Sequence, residues 1–143
     1  MTSAATPEII IYTDGGARGN PGPAGAAFVA IKNGKILNKS KRFLGKKTNN
    51  EAEYLAIVMA FDYLIDNYKN EAVRIKFYLD SELVARQLSG VYKVKSQNLK
   101  PLFATIKNSE KYLQGEISYE SISRTKNKLA DLLVNEVIDE NSS

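Results

Sequence analysis

The residues best suited to chemistry in this chain are four carboxylates, Asp14, Glu53, Asp80 and Asp131. There is no histidine and no cysteine. Their absence removes the usual general base, the usual zinc ligand, any serine–histidine triad and any disulfide or thiolate metal site. A metal bound here must be held by oxygen, which favours hard ions such as Mg²⁺ or Mn²⁺. Singly, each acid has an ordinary structural role. Asp14 before Gly15-Gly16 suits a turn. Glu53 suits the N-terminal end of a helix. Asp80 suits a helix cap, and Asp131 an exposed helical position. Together they imply more, because gathered carboxylates repel one another and raise their own pKa values unless a cation balances them.

The elements that must gather them can be read from the pattern. Glu8–Asp14 (EIIIYTD) is a short apolar, β-branched run and predicts a buried strand that Asp14 closes. A Gly/Pro-rich loop, GGARGNPGPAG, follows. Ala26–Ile31 predicts a second strand, and Asn33-Gly34 a hairpin that returns Lys35–Leu44 antiparallel. At Thr48 the period changes. Thr48-Asn49-Asn50-Glu51 fits a capping box, opening a helix to about Asn67 that is apolar nearly all round and therefore buried on most sides. Val73–Leu79 predicts a strand, closed by Asp80. The sequence ELVARQL predicts a helix ended by Gly90. Leu99–Tyr112 predicts another helix, with Pro101 in its first turn. Glu116–Ile122 alternates as a strand. Thr125–Ile138 predicts a last helix with Leu129, Leu132, Leu133, Val134 and Val137 on its apolar side.

Three antiparallel strands followed by αβαβα predict an α/β domain with a five-stranded mixed sheet. If the strands ending at Asp14 and Asp80 are parallel neighbours, both acids project from one carboxyl edge, where open α/β sheets place their sites. Residues 1–7 are expected to be a disordered lead, 8–140 a single catalytic domain and 141–143 a tail.

The whole chain has 143 residues, 43% hydrophobic and 25% charged, as in an ordinary soluble domain. Its start, MTSAATPE, lacks the basic and apolar regions of a signal peptide. No stretch is long and apolar enough to span a membrane, and the expected compartment is the cytoplasm. The net charge is +4 and the pI about 9.2. Seven basic residues and no acidic one fall between Lys32 and Lys47, and Lys93, Lys95 and Lys100 form a second basic stretch. That balance leans toward a polyanionic partner. A phosphodiester fits both features. Two divalent ions about 3.5–4 Å apart can activate water against an anionic ester and stabilise its leaving oxygen.

In four places the sequence resembles the type 1 ribonuclease H family. These are YTDGGARGNPGPAG at Tyr12–Gly25, TNNEAEY at Thr48–Tyr54, LDSELV at Leu79–Val84 and NKLAD at Asn127–Asp131, in the family's order. The resemblance covers roughly residues 8–140. It implies a ribonuclease H-like fold with strand order 3-2-1-4-5 flanked by helices. It also implies hydrolysis of the RNA strand of RNA–DNA hybrids with two Mg²⁺, for which Mn²⁺ can substitute, leaving 5′-phosphate and 3′-hydroxyl ends. By the same resemblance, Asp14 bridges both metals, Asp131 helps hold the one that activates water, and Glu53 and Asp80 hold the other. Glu53 also accepts a hydrogen bond from a ribose 2′-hydroxyl.

Substrate contacts carry over from the same motifs. The backbone of Gly15, Gly16, Ala17 and Gly19 and the side chain of Asn20 match positions that contact RNA. Asn49 and Asn50 match minor-groove contacts, and Lys46 and Thr48 match a grip on a DNA phosphate. As a helix cap, Thr48 stands beside backbone N–H groups suited to a phosphate. The chain also departs from the family. Many members have a histidine before the last aspartate, and this chain has none. Arg124 falls in the corresponding loop, as a fixed charge rather than a base. The basic protrusion of some relatives is short here, leaving Lys93 and Lys95 as weaker phosphate contacts. A monomer is expected.

Overall fold

A computed structural model describes residues 6–141. Five strands and four helices are present among them: β1 (Glu8–Ala17), β2 (Gly22–Lys32), β3 (Lys35–Lys47), α1 (Asn49–Tyr68), β4 (Arg74–Leu79), α2 (Glu82–Leu88), α3 (Lys100–Glu110), β5 (Ile117–Ser121) and α4 (Lys128–Glu140). The sheet order is β3-β2-β1-β4-β5. β1, β2 and β3 pair antiparallel, while β4 runs parallel to both β1 and β5. This is the mixed sheet the sequence predicts.

Each layer follows from side-chain pattern. In β1, Ile9, Ile11 and Thr13 are buried on the face toward α1. β2 is buried on both faces. Ala26, Phe28 and Ala30 join the α1 side, and Ala27 and Val29 join Leu133, Val134, Val137 and Ile138 of α4. The larger core lies under α1, where Tyr54, Ile57, Phe61 and Leu64 pack on β-sheet residues such as Phe77. Burying each such side chain contributes about 1.5–3 kcal/mol. The alanines of β2 and Gly25 let α4 lie close. A Cβ added at Gly25 would meet Val137 Cγ1 at 2.6 Å.

Some predicted boundaries move. Asp14 does not close β1, because the strand continues through Gly15, Gly16 and Ala17, paired with Ala26, Gly25 and Ala24. β2 therefore begins at Gly22, and the predicted long loop shrinks to residues 18–21. The last helix starts later than Thr125. Residues Arg124–Lys126 form a 3-10 turn, and α4 begins after the buried Asn127. Leu132 is 53% exposed rather than part of the apolar side, where Ile138 takes its place. Of the expected lead, residues 1–5 lie outside the described residues, as do 142 and 143 of the expected tail. The Pro7 carbonyl accepts a hydrogen bond from the Arg74 N–H at 2.8 Å.

Candidate active site

The parallel register of β1 and β4 ends with Tyr12 opposite Tyr78. Two residues further along each chain come Asp14 and Asp80, side by side at the carboxyl edge of the sheet. Glu53 reaches them from the first turns of α1. It can do so because Gly15 has no side chain: a Cβ there would fall into the backbone of Ala52 and Glu53. At this close approach the Gly15 N–H donates to Glu53 Oε1 at 3.3 Å.

Carboxylate oxygens of Asp14, Glu53 and Asp80 lie within 4.8 Å of one another. Asp131, in the first turn of α4, lines the same cleft without joining that close trio. Asp14 and Glu53 are buried, and Asp80 is partly buried. Burial, together with the charges of Asp80 and Asp131, pushes the Asp14 carboxyl up to about 7. Burial also raises Glu53 well above the usual carboxylate range, aided by the charges of Asp14 and Asp80. Asp80 is raised by burial, against the opposing pull of Arg124.

These acids fit a divalent cation. Every donor is a carboxylate oxygen, the chemistry hard ions select. Glu53 Oε2 is buried with no hydrogen-bond partner. An acceptor left that way is costly unless something else engages it. Asp14, Glu53 and Asp80 would hold such an ion, with Asp131 facing it across the cleft.

The surrounding wall is polar. The cleft measures about 700 Å³ and includes Asn49, Asn50, Ser81, Arg124 and Asn135 in its lining. Arg124 Nε stands 3.6 Å from Asp80 Oδ2, with its side chain 81% exposed. Of the residues the sequence singles out, Gly15, Gly16, Ala17, Asn49, Asn50 and Arg124 share the cleft with the four acids. Gly19, Asn20, Lys46, Thr48, Lys93 and Lys95 do not line it. Lys46 is exposed on β3, and Lys93 and Lys95 are exposed between α2 and α3.

Several of these polar groups are engaged within the chain. Asn49 Oδ1 accepts from the Ala17 N–H at 2.8 Å, and Asn20 Oδ1 accepts from the Asn49 N–H at 3.0 Å. Thr48 Oγ1 accepts from the Glu51 N–H, and Glu51 Oε1 from the Thr48 N–H, the predicted capping box. Thus two of the first α1 N–H groups, on Asn49 and Glu51, already have side-chain acceptors. The Asn20–Asn49 bond ties the loop after β1 to the helix that carries Glu53.

Sequence reasoning gave no role to Arg18, Ser81, Asn127 or Asn135. Ser81 caps α2 by accepting from the Val84 N–H. Asn127 is buried, and its Nδ2 donates to the Thr13 carbonyl at 2.8 Å. The sequence placed Asn127 inside the helix predicted from Thr125, and nothing in the pattern marked its contact with β1. It stands just before α4 and makes no side-chain cap bond.

An α/β domain with acids converging at the carboxyl edge of parallel strands is one class of oxygen-ligand metal centre. The model of the RNase H family matches residues 6–138, and the chain belongs to that family. The chain is 37% identical over 134 residues to Bifunctional protein Rv2228c of Mycobacterium tuberculosis, covering 92% of this chain and 36% of that protein. It is 33% identical over 132 residues to Ribonuclease HI of Halobacterium salinarum, covering 90% of this chain and 63% of that one. Thus the chain spans about a third of the first relative and less than two thirds of the second. Among solved structures, it matches LC11-RNase H1 in complex with an RNA/DNA hybrid with a TM-score of 0.89 at 44% identity, covering 94% of this chain and 99% of that one. No described helix is long and apolar enough to cross a membrane.

Proposed function

We propose that this chain is an endoribonuclease that hydrolyses the RNA strand of RNA–DNA hybrids by a two-metal-ion mechanism, leaving 5′-phosphate and 3′-hydroxyl ends. The observation that carries the reading is the close trio of Asp14, Glu53 and Asp80 oxygens in a cleft shared with Asp131. The hybrid bound to the similar LC11-RNase H1 supports the choice of substrate. The same reading makes residues 8–140 one catalytic domain, acting as a monomer in the cytoplasm. All four acids come from one chain, so the site needs no second copy.

When bound, Mg²⁺ or Mn²⁺ would supply Lewis-acid activation of water and stabilisation of the leaving oxygen. The chain's own part is positioning. Asp14 and Asp80 are set by strand register, and Glu53 by the Gly15 contact. Asp14 would be shared by both ions, Glu53 and Asp80 would hold the one on the leaving-group side, and Asp131 would help hold the one on the side of the attacking water. Glu53 in addition accepts from a ribose 2′-hydroxyl, which selects RNA. The strand-end backbone at Gly15, Gly16 and Ala17, the loop at Gly19 and Asn20, and Asn49 and Asn50 line up the RNA strand. Lys46 and Thr48 hold a DNA phosphate, Lys93 and Lys95 add weaker contacts, and Arg124 faces the phosphate beside Asp80.

The test uses end-labelled RNA–DNA hybrid, double-stranded RNA and single-stranded RNA with Mg²⁺, Mn²⁺ or EDTA. The expected result is metal-dependent cutting of the hybrid that Asp14→Asn abolishes. Cutting that survives EDTA would end the two-metal account, and preference for double-stranded RNA would overturn the substrate.

A further inference from the structure

Arg18 follows β1 directly, and its own N–H donates to the Pro23 carbonyl at 2.9 Å, closing the turn between β1 and β2. Its side chain leaves that turn for α4. Nη1 pairs with Asp139, while Nη2 donates to the Asn135 carbonyl at 3.4 Å and to Asn135 Oδ1 at 3.3 Å. Asn135 Nδ2 in turn donates to the Asp131 carbonyl at 3.0 Å. Asp131, Asn135 and Asp139 recur every four residues and so share one face of the helix. The guanidinium therefore grips the face that carries the fourth acid, one and two turns below it.

α4 needs such a grip. Leu133, Val134, Val137 and Ile138 fix its height above the sheet, but aliphatic contacts are non-directional and constrain its slide and rotation poorly. Asn127 holds its start to β1, and Lys41 pairs with Glu136 and Glu140 near its end. Arg18 alone of these three polar ties comes from the loop beside the cleft, and it lines the cleft itself.

We propose that Arg18 is a positioning residue: by gripping Asn135 and Asp139 it sets Asp131 against Asp14 and couples the β1–β2 turn to that carboxylate. This deepens the nuclease reading and rests on it. The rival role is a direct contact from Arg18 to a substrate phosphate. The two differ at Asp139, which has no phosphate to meet. Under the proposal, losing Asp139 mimics losing Arg18. Under the rival, it releases Arg18 to bind more tightly.

The experiment compares Arg18→Ala, Arg18→Lys, Asp139→Ala and Lys41→Ala with the parent. Kinetics are measured on hybrid across salt concentrations, Mg²⁺ binding by calorimetry without nucleic acid, and folding by thermal melting. A misplacement of 1 Å can cost on the order of 10²-fold, and a partial shift should lower kcat about tenfold. Arg18→Ala and Asp139→Ala are expected to show this with KM nearly unchanged, and both to weaken Mg²⁺ binding several-fold. Arg18→Lys keeps the charge without the planar fork and should recover part of the loss. Lys41→Ala, which cuts the other tie near the helix end, should leave kcat within twofold. A raised KM with a salt slope lower by about one in Arg18→Ala, and normal kcat in Asp139→Ala, would overturn the proposal. If the parent cut no hybrid, the nuclease reading would fail, while unchanged Mg²⁺ binding in both variants would still overturn the grip itself.

Discussion

Asp14 and Asp80 stand side by side two residues past the Tyr12–Tyr78 pair, the last registered position of the parallel β1–β4 ladder. Their proximity thus follows from strand register, with Asp80 in the bend just past the end of β4. A slip of one residue in that ladder would turn one acid to the opposite face of the sheet. The cost of the arrangement is electrostatic. Two carboxylates fixed at one edge, with Glu53 and Asp131 added, cannot all ionise cheaply without a counter-charge.

That cost predicts a pH dependence of stability in metal-free buffer. Asp14 is raised from 3.8 to about 7, chiefly by burial, and Glu53 and Asp80 are raised as well. A raised folded-state pKa gives stability that is full below the unfolded value and is lost as pH climbs through the folded one. Melting in EDTA should therefore show the parent losing ground to Asp14→Asn between about pH 4 and 7. The gap should reach on the order of 1–3 kcal/mol at pH 8. Mg²⁺ should reverse it, stabilising the parent more as pH rises, because its ligands must first lose their protons. Parallel curves for the two proteins across this range would refute the prediction.

Gly15 and Gly16 should respond very differently to alanine. A methyl at Gly15 meets the backbone of Ala52 and Glu53, whereas at Gly16 the nearest atom, Val134 Cγ1, is 3.9 Å away. Overpacking typically costs about 1–3 kcal/mol, and rigid backbone places Gly15→Ala at the upper end. Gly16→Ala should cost less than about 1 kcal/mol, within the range of a tolerated strand substitution. Urea unfolding of both variants checks this. Equal midpoints would show that α1 can retreat from β1 without penalty.

Much of this was readable before the fold was known. The capping box at Thr48 and Glu51 forms as spaced, and Asn33 and Gly34 take the positive φ values, 53° and 76°, that their hairpin demands. What escaped was set by distant partners. Gly15 and Gly16 read as loop, since glycine usually marks a turn, yet here they sit in a strand because a helix crosses close by. Arg18 has no role legible in the sequence, because its partners Asn135 and Asp139 lie on α4, more than a hundred residues away. Leu132 fits a helical stripe, but α4 is covered on too narrow an arc to bury it.

Asn127 should prove structural as well as positional. Its Nδ2 satisfies the Thr13 carbonyl on β1 immediately before Asp14. Leaving a buried acceptor unpaired costs about 1–3 kcal/mol. Asn127→Ala should destabilise by that amount in urea, and because α4 begins at Lys128, Asp131 should lose its fixed height too. The expected result is a kcat loss larger than the stability change explains, seen well below the melting temperature. Normal kcat in a destabilised Asn127→Ala would confine the residue to folding.

Arg124 offers the last prediction. It lies 3.6 Å from Asp80 Oδ2 and opposes the burial that raises Asp80. In Arg124→Ala that opposition is gone, so Asp80 rises further and gives up its proton only at higher pH. The acidic limb of the activity profile should move toward higher pH, and the drop in rate should be largest below neutrality. As an exposed charge lining the cleft, Arg124 should also contribute to binding a polyanion. Its loss should raise KM a few-fold and lower the salt slope of binding by about one. Rate profiles from pH 5 to 9 at two salt concentrations separate the two effects. If kcat, KM and the acidic limb all stay put, Arg124 is only a surface residue beside the site.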